Sequence, residues 1–381
     1  MPILNSMPDV AMVAGEASGD LLGALLLQGL LAKTNDVAFG GIGGPRMTQL
    51  GFDAQIPLER LAVRGYVEVL RHLPGLLKLR AGLAKEMIAS PPRMFIGIDA
   101  PDFNLGLEEK LRAARIRTVH LVCPSIWAWR AQRITQIKHS VDHMLCVFPF
   151  EPELLTKHGV KASYVGHPLA DMIPLKPDTA HARRKLGLDE QGCVIALLPG
   201  SRKDEIAHIA PLFLKAAELL RIKEPDVRFL IPAAGQLRQW ELQRLLARFP
   251  GLPVQLVDGQ SHTVLEACNG ALVGSGTATL EAALYKKPMV IAYAMPTLSW
   301  WMMRNKGYLP YVGLPNILAG EFLVPELIQD KATPSALAGA LIEQMRDRAL
   351  STRLNDRFTH MHEQLRCDFS RTAADVIMEY L

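Results

Sequence analysis

The chain has 381 residues, 49% apolar and 21% charged, with a net charge of +4. That length exceeds one ordinary hydrophobic core, so two domains are expected. The balance fits a soluble globular protein, and the small positive surplus gives no reason to expect nucleic acid as a partner. Cys123, Cys146, Cys193, Cys268 and Cys367 form no C-x-x-C pair, which fits a reducing compartment and no zinc site. No basic-then-apolar leader opens the sequence. The apolar run Leu21 to Ala32 is too short to span a bilayer. A cytosolic protein that can still lie on a membrane is expected.

Val10-Ala-Met-Val-Ala-Gly reads as a short buried strand, and Glu16-Ala-Ser-Gly-Asp-Leu-Leu-Gly-Ala opens a helix after it. The turn is neither a P-loop nor G-x-G-x-x-G. Gly15, Gly19 and Gly23 recur every four residues and leave one helix face bare for close packing on a sheet. Packing does not account for Glu16, Ser18 and Asp20 together at a strand's carboxyl end, which favours a ligand-facing loop. Val37 to Gly44 is a second strand ending in glycines.

Leu58 to Arg80 is rich in apolar and basic residues. Arg60, Arg64, Arg71, Lys78 and Arg80 outnumber Glu59 and Glu68, and Leu70, Leu73, Leu76 and Leu77 can share a face. Two readings stay open: a helix pair packed on its own sheet, or a surface that docks on anionic lipid. Met94-Phe-Ile-Gly-Ile-Asp, Thr118-Val-His-Leu-Val and His143 to Phe148 are further strands. Asp99 follows the first of these directly, with Pro101 behind it. A strand-end Asp facing a cleft can serve as a general base; a loop-capping Asp is the alternative.

From Gly166 to Lys185 prolines and polar residues mark a linker. The βα rhythm then restarts at Val194 and runs through strands at Val227, Val254, Ala271 and Met289. Leu198-Pro-Gly-Ser-Arg-Lys-Asp-Glu-Ile206 turns the chain into a helix. Ser201 can cap it, and Arg202 offers a planar fork matched to phosphate oxygens. Leu272-Val-Gly-Ser-Gly-Thr-Ala-Thr-Leu-Glu281 is a strand, a tight turn and a helix start. Such a start is an anion site. Gly276 lets a phosphate approach the backbone, Ser275, Thr277 and Thr279 add hydroxyls, and Glu281 points back toward the turn. A carboxylate beside a phosphate site suits the hydroxyls of a ribose, so a nucleoside diphosphate is the expected ligand; an ordinary capping Thr and a solvated Glu are the alternative. The Trp- and Met-rich stretch Met295 to Tyr311 reads as core packing, and Leu337 to Leu381 reads as helical.

Alternating β and α with continuous apolar strands gives an α/β chain of two Rossmann-like domains with parallel sheets facing a cleft, ligands lying at the strands' carboxyl ends. With no D-x-D and no His/Cys cluster, no metal and no nucleophile triad are expected.

Val13-Ala-Gly-Glu-Ala-Ser-Gly-Asp20, Gly97-Ile-Asp-Ala-Pro-Asp-Phe-Asn104, Pro124-Ser-Ile-Trp-Ala-Trp129, Leu198-Pro-Gly-Ser-Arg202, Gly274-Ser-Gly-Thr-Ala-Thr-Leu-Glu281 and Leu314-Pro-Asn316 together resemble lipid-A-disaccharide synthases, in family order over nearly the whole chain. The resemblance implies a GT-B glycosyltransferase of lipid A biosynthesis. It would join UDP-2,3-diacylglucosamine to 2,3-diacylglucosamine 1-phosphate, giving a β-1,6-linked disaccharide and UDP, with inversion and no cofactor. It implies an acceptor-binding domain over residues 1–168, a UDP-sugar domain over 169–355, and a C-terminal helix over 356–381 packing back toward the first domain. Asp99 matches the family's catalytic Asp; Arg202 joins it as a catalytic candidate. Thr277, Glu281 and Asn316 match positions around UDP. Glu16, Ser18, Asp20, Asp102, Ser201, Ser275 and Gly276 complete the candidate substrate-binding set. The family's apolar patch corresponds to the segment holding Tyr66, Val69, Leu70, Leu73, Leu76 and Leu77, implying peripheral contact with the cytosolic face of the inner membrane. A UDP-sugar epimerase, which uses the same double fold, and a non-enzymatic nucleotide-binding membrane adaptor are the competing readings.

Overall fold

A computed structural model describes residues 3–61, 66–294 and 308–381, with backbone alone over 66–71. The chain divides into two compact units, Met1–Asp171 with Gln364–Leu381, and Met172–Glu363.

Among the described residues of the first unit, seven parallel strands form one sheet: β1 (Val10–Ala14), β2 (Phe39–Gly43), β3 (Asp53–Pro57), β4 (Met94–Ile98), β5 (Arg117–Leu121), β6 (His143–Cys146) and β7 (Ala162–Tyr164). Their order is β3-β2-β1-β4-β5-β6-β7. Every residue of β1, β2, β4 and β6 is buried, as strands covered on both faces must be. The order reverses between β1 and β4, so a crevice opens at their carboxyl ends. Helix α1 (Ala17–Leu31) packs through its glycines. A Cβ on Gly19 would touch Ala14, and one on Gly29 would lie 2.0 Å from the Ser370 carbonyl of the Phe369–Met378 helix.

The second unit repeats the plan with β8 (Val194–Leu198), β9 (Arg228–Ala233), β10 (Val254–Asp258), β11 (Gly270–Gly274), β12 (Met289–Tyr293) and β13 (Glu326–Ile328). The order is β10-β9-β8-β11-β12-β13, again parallel, with the reversal between β8 and β11. Its core joins Leu197 and Leu272 from the sheet to Phe213 and Leu214 of the Lys203–Lys223 helix.

Of the two readings open for Leu58 to Arg80, a helix pair is not what the described residues form. After a short 3-10 turn at Leu58–Arg60, one helix runs over Tyr66–Ala89 with Pro74 inside it. Pro74 and Gly75 are exposed, while Leu79, Leu83 and Met87 are buried in the first unit's core and anchor the helix beyond them. Side chains of Tyr66, Val69 and Leu70 lie outside the described residues, as do Arg64 and Trp300 to Met303. No helix of the described residues is long and apolar enough to cross a membrane.

Candidate functional site

The second unit's site begins where β8 ends. Gly200 has φ +116°, and a Cβ there would meet Glu205 Oε2 at 2.4 Å. Its absence lets Glu205 fold back and accept the backbone N–H groups of Ser201 at 3.0 Å and Arg202 at 3.1 Å. The loop is fixed and Arg202 stands out toward solvent. Its Nη1 lies 3.2 Å from Glu205 Oε1. An exposed pair of this kind is worth about 0–1 kcal/mol, so the guanidinium is available to a stronger anion.

β11 ends in the turn Gly274–Gly276. Ser275 Oγ donates to the Val312 carbonyl at 3.2 Å and pins it. Gly276 adopts φ +140°, and nothing lies within 4 Å of where its Cβ would stand. The backbone there is open to a ligand. The Thr277–Leu284 helix starts next, with no side chain capping its first turn, and its N-terminal N–H groups favour an anion. Thr279 braces this turn instead of facing the ligand side. Its buried Oγ1 donates to the Gly276 carbonyl at 2.8 Å and accepts from Leu314 N–H at 3.3 Å.

Glu281 faces the same space. Ser261 Oγ lies 3.4 Å from its Oε2 and His262 Nε2 3.8 Å away. Burial pushes its carboxyl above the usual range, against the pull of His262 and the Ser261 hydrogen bond. Ser201, Arg202, Ser275, Gly276, Thr277 and Glu281 line one cavity of about 390 Å³ with Ala234, Gln260 and Ser261, at the carboxyl ends of β8 to β11.

In the first unit Asp99 and Ala100 follow β4 in the left-handed region, at φ +50° and +45°. Outside glycine that conformation costs roughly 1–2 kcal/mol per residue, less for Asp, and strain of this kind clusters at working sites. Asp99 lines a cavity of about 410 Å³ with Asp102, Ser125, Trp129, Arg130 and Arg133. The Asp102 carboxylate pairs with Arg133 and lies 3.8 Å from Arg130, whose guanidinium stacks 4.1 Å over the Trp129 ring. Beneath the same loop Trp127 donates Nε1–H to Glu151 at 3.0 Å, and Phe148 N–H reaches the other oxygen at 3.1 Å. Burial pushes the Glu151 carboxyl up to about 7.

Glu16 and Ser18 are exposed at the carboxyl end of β1. Asp20 and Asn316 depart from their expected roles. Asp20 is buried, and its carboxylate accepts from Gly44, Arg46 and Met47 N–H groups at 3.0, 3.0 and 3.1 Å. It caps the Pro45–Thr48 turn. Asn316 is buried too. Its Nδ2 donates to the Val324 carbonyl and Glu326, and its Oδ1 accepts from Leu323 and Val324 N–H. Those four bonds exhaust an amide, so Asn316 supports the site from behind.

Leu73 and Leu77 stand 40% and 44% exposed on one face of the Tyr66–Ala89 helix, and Leu76 is half-buried. Among the described residues no group of three or more His, Cys, Asp and Glu side chains is placed to hold a metal ion.

A family model described as lipid-A-disaccharide synthetase matches residues 10–377. Lipid-A-disaccharide synthases from Burkholderia pseudomallei and Paraburkholderia phytofirmans are 57% and 56% identical over 369 residues, 97% of this chain and 95% of each relative. The chain belongs to the lipid-A-disaccharide synthase family. Among solved structures, the glycotransferase of kitacinnamycin shares the fold at TM-score 0.62 and 16% identity, covering 98% of both chains. The UDP-GlcNAc 2-epimerase of Neisseria meningitidis does so at 0.60 and 12%, covering 97% of this chain and 98% of its own.

This lipid-A-disaccharide synthase family member is a glycosyltransferase of GT-B fold. The sequence reading missed Arg130 and Arg133, although both follow the Pro124–Trp129 motif at helical spacing. It also missed Ser261, Gln260 and Glu151, which carry no local signal. Gln260 and Ser261 reach one cavity, and Arg130 and Arg133 the other, only because parallel strands bring distant loops to one sheet edge; Glu151 is buried and lines neither.

Proposed function

We propose that the chain transfers 2,3-diacylglucosamine from UDP-2,3-diacylglucosamine to the 6-hydroxyl of 2,3-diacylglucosamine 1-phosphate, releasing UDP. The observation that carries this is the convergence of Arg202, the open Gly276–Thr277 helix start and Glu281 on one cavity, in a chain of this family. Such a cavity suits a nucleoside diphosphate: N–H groups and a guanidinium for the two phosphates, and a carboxylate for the ribose hydroxyls. The Neisseria relative in fold was solved bound to UDP-GlcNAc.

Asp99 takes the proton of the acceptor 6-hydroxyl as its oxygen attacks the anomeric carbon. The bond to the diphosphate breaks on the opposite face, so an α-linked donor gives a β product in one displacement. Arg202 and the Thr277 helix start stabilise the charge gathering on the leaving diphosphate. Glu16 and Ser18 line the acceptor side. The exposed Leu73 and Leu77 meet the inner-membrane surface that holds both acylated substrates.

The test is to incubate the protein with both substrates, with each alone, and with EDTA present. UDP release only when both are present, and unaffected by EDTA, supports the reading. Release from the donor alone marks hydrolysis and overturns the transfer reading; isomerisation of water-soluble UDP-sugars without UDP release favours an epimerase. UDP binding without turnover favours an adaptor.

A further inference from the structure

The face that carries Leu73 and Leu77 does not stay apolar. Arg80 lies three residues beyond Leu77 and seven beyond Leu73, on the same side of the helix. Its Nη1 donates to the Asp102 carbonyl at 3.2 Å. Asp102 is the residue whose carboxylate meets Arg133 and Arg130. Three guanidinium groups therefore gather on one residue with a single carboxylate, whose side chain is 79% exposed. Arg130 and Arg133 also line the cavity of Asp99. The helix thus runs from exposed apolar side chains to a cationic cluster beside the candidate base.

We propose that Arg80, Arg130 and Arg133 bind the phosphate monoester of the acceptor lipid. The inference rests on the acceptor assigned above and deepens it. An acylated sugar 1-phosphate is an amphiphile with its charge at the head, and this face has the same polarity: leucines, then guanidiniums, then Asp99. Guanidinium forks match phosphate oxygens in pairs. Asp102 pre-sets the arginines, and its own side chain is 79% exposed, so an entering dianion can displace it into water. Discrimination between a phosphorylated and a phosphate-free acceptor follows, because only the former repairs the loss of that partner.

The experiment compares 2,3-diacylglucosamine 1-phosphate with the same lipid bearing a free anomeric hydroxyl, both in neutral detergent micelles. Micelles without phospholipid keep a bilayer headgroup from supplying the effect. The wild-type protein is expected to show a KM at least tenfold lower for the phosphorylated acceptor, the size of one charge-assisted hydrogen bond. Arg133→Gln and Arg80→Gln should raise that KM about tenfold, raise the KM of the phosphate-free acceptor far less, and leave UDP affinity unchanged. Arg133→Lys should recover part of the difference. Equal losses on both acceptors, or no wild-type preference, overturn the phosphate site. Effects seen only when anionic vesicles replace micelles also overturn it, and assign the arginines to the bilayer headgroup. A wild-type protein that releases no UDP with either acceptor sinks the transferase reading itself, whatever the arginine variants do.

Discussion

Asn104 holds Asp99 in place from below: its Nδ2 donates to the Asp99 main-chain carbonyl at 2.8 Å and reaches the Val13 carbonyl of β1 at 3.2 Å. The amide is fully buried on the Pro101–Ala113 helix, so this clamp ties the left-handed turn to the adjoining strand. Asn104→Ala removes the clamp and leaves buried carbonyls unpaired, at about 1–3 kcal/mol of stability. The turn is then free to leave its strained conformation. A fall in kcat with unchanged UDP affinity is expected from steady-state kinetics and calorimetry. A variant with wild-type kcat would show that Asp99 does not depend on Asn104.

For Asp99 itself the chemistry sets the size of the effect. General-base catalysis contributes roughly 10²–10⁴-fold. Asp99→Asn should lose that much turnover and keep its UDP affinity. Turnover within about threefold of wild type would move the base elsewhere, with Asp102 and Glu16 next to test.

Glu281 should report on the ribose. Hydrogen bonds to charged groups are worth roughly 1.5–3 kcal/mol, or about 10- to 150-fold in affinity. Wild-type protein should bind UDP more tightly than 2′-deoxy-UDP, and Glu281→Ala should lose much of that preference. Because burial raises this carboxyl, the preference should fade on acidification at a higher pH than an ordinary carboxylate would give. Equal discrimination by both proteins would take Glu281 off the 2′-hydroxyl.

Glu151 predicts a pH dependence of stability. Its carboxyl is raised from 4.5 to about 7 in the folded protein, so the folded state binds the extra proton between those values. Its contribution is fully present below about 4.5 and is lost as pH rises through about 7. At 1.36 kcal/mol per unit, the change is about 3 kcal/mol. Urea unfolding at pH 5 and pH 8 should show Glu151→Gln losing less stability over that interval than wild type. Parallel losses in both proteins would mean that Glu151 does not titrate there.

Leu73 and Leu77 are exposed apolar residues one turn apart on their helix, so charging them should leave the core intact. Leu73→Glu with Leu77→Glu is expected to release the protein from anionic vesicles in a flotation assay, with an unchanged unfolding midpoint. Undiminished vesicle binding would place the membrane contact elsewhere.

Much of this molecule is determined locally. Buried parallel strands announce themselves as continuous apolar runs, so β1, β4, β8, β11 and β12 are readable directly from composition. Three of the edge strands, β3, β7 and β13, are not: β7 and β13 have three half-buried residues each, and β3 buries Ile56 alone, so none carries a continuous apolar run. Glycine turns and helix starts are local too, which is why Gly276, Thr277 and Arg202 could be named from sequence. What a polar side chain near such a turn does is decided by what else arrives there. Asp20 and Asp99 each sit close to a strand's carboxyl end with the same carboxylate. Asp20 meets three backbone N–H groups delivered by the loop after β2 and is consumed by them. Asp99 meets a cavity lined by arginines from the loop after β5. The partners come from residues 24 to 34 positions away, and their arrival is set by strand order, a property of the folded sheet that no local stretch of sequence contains.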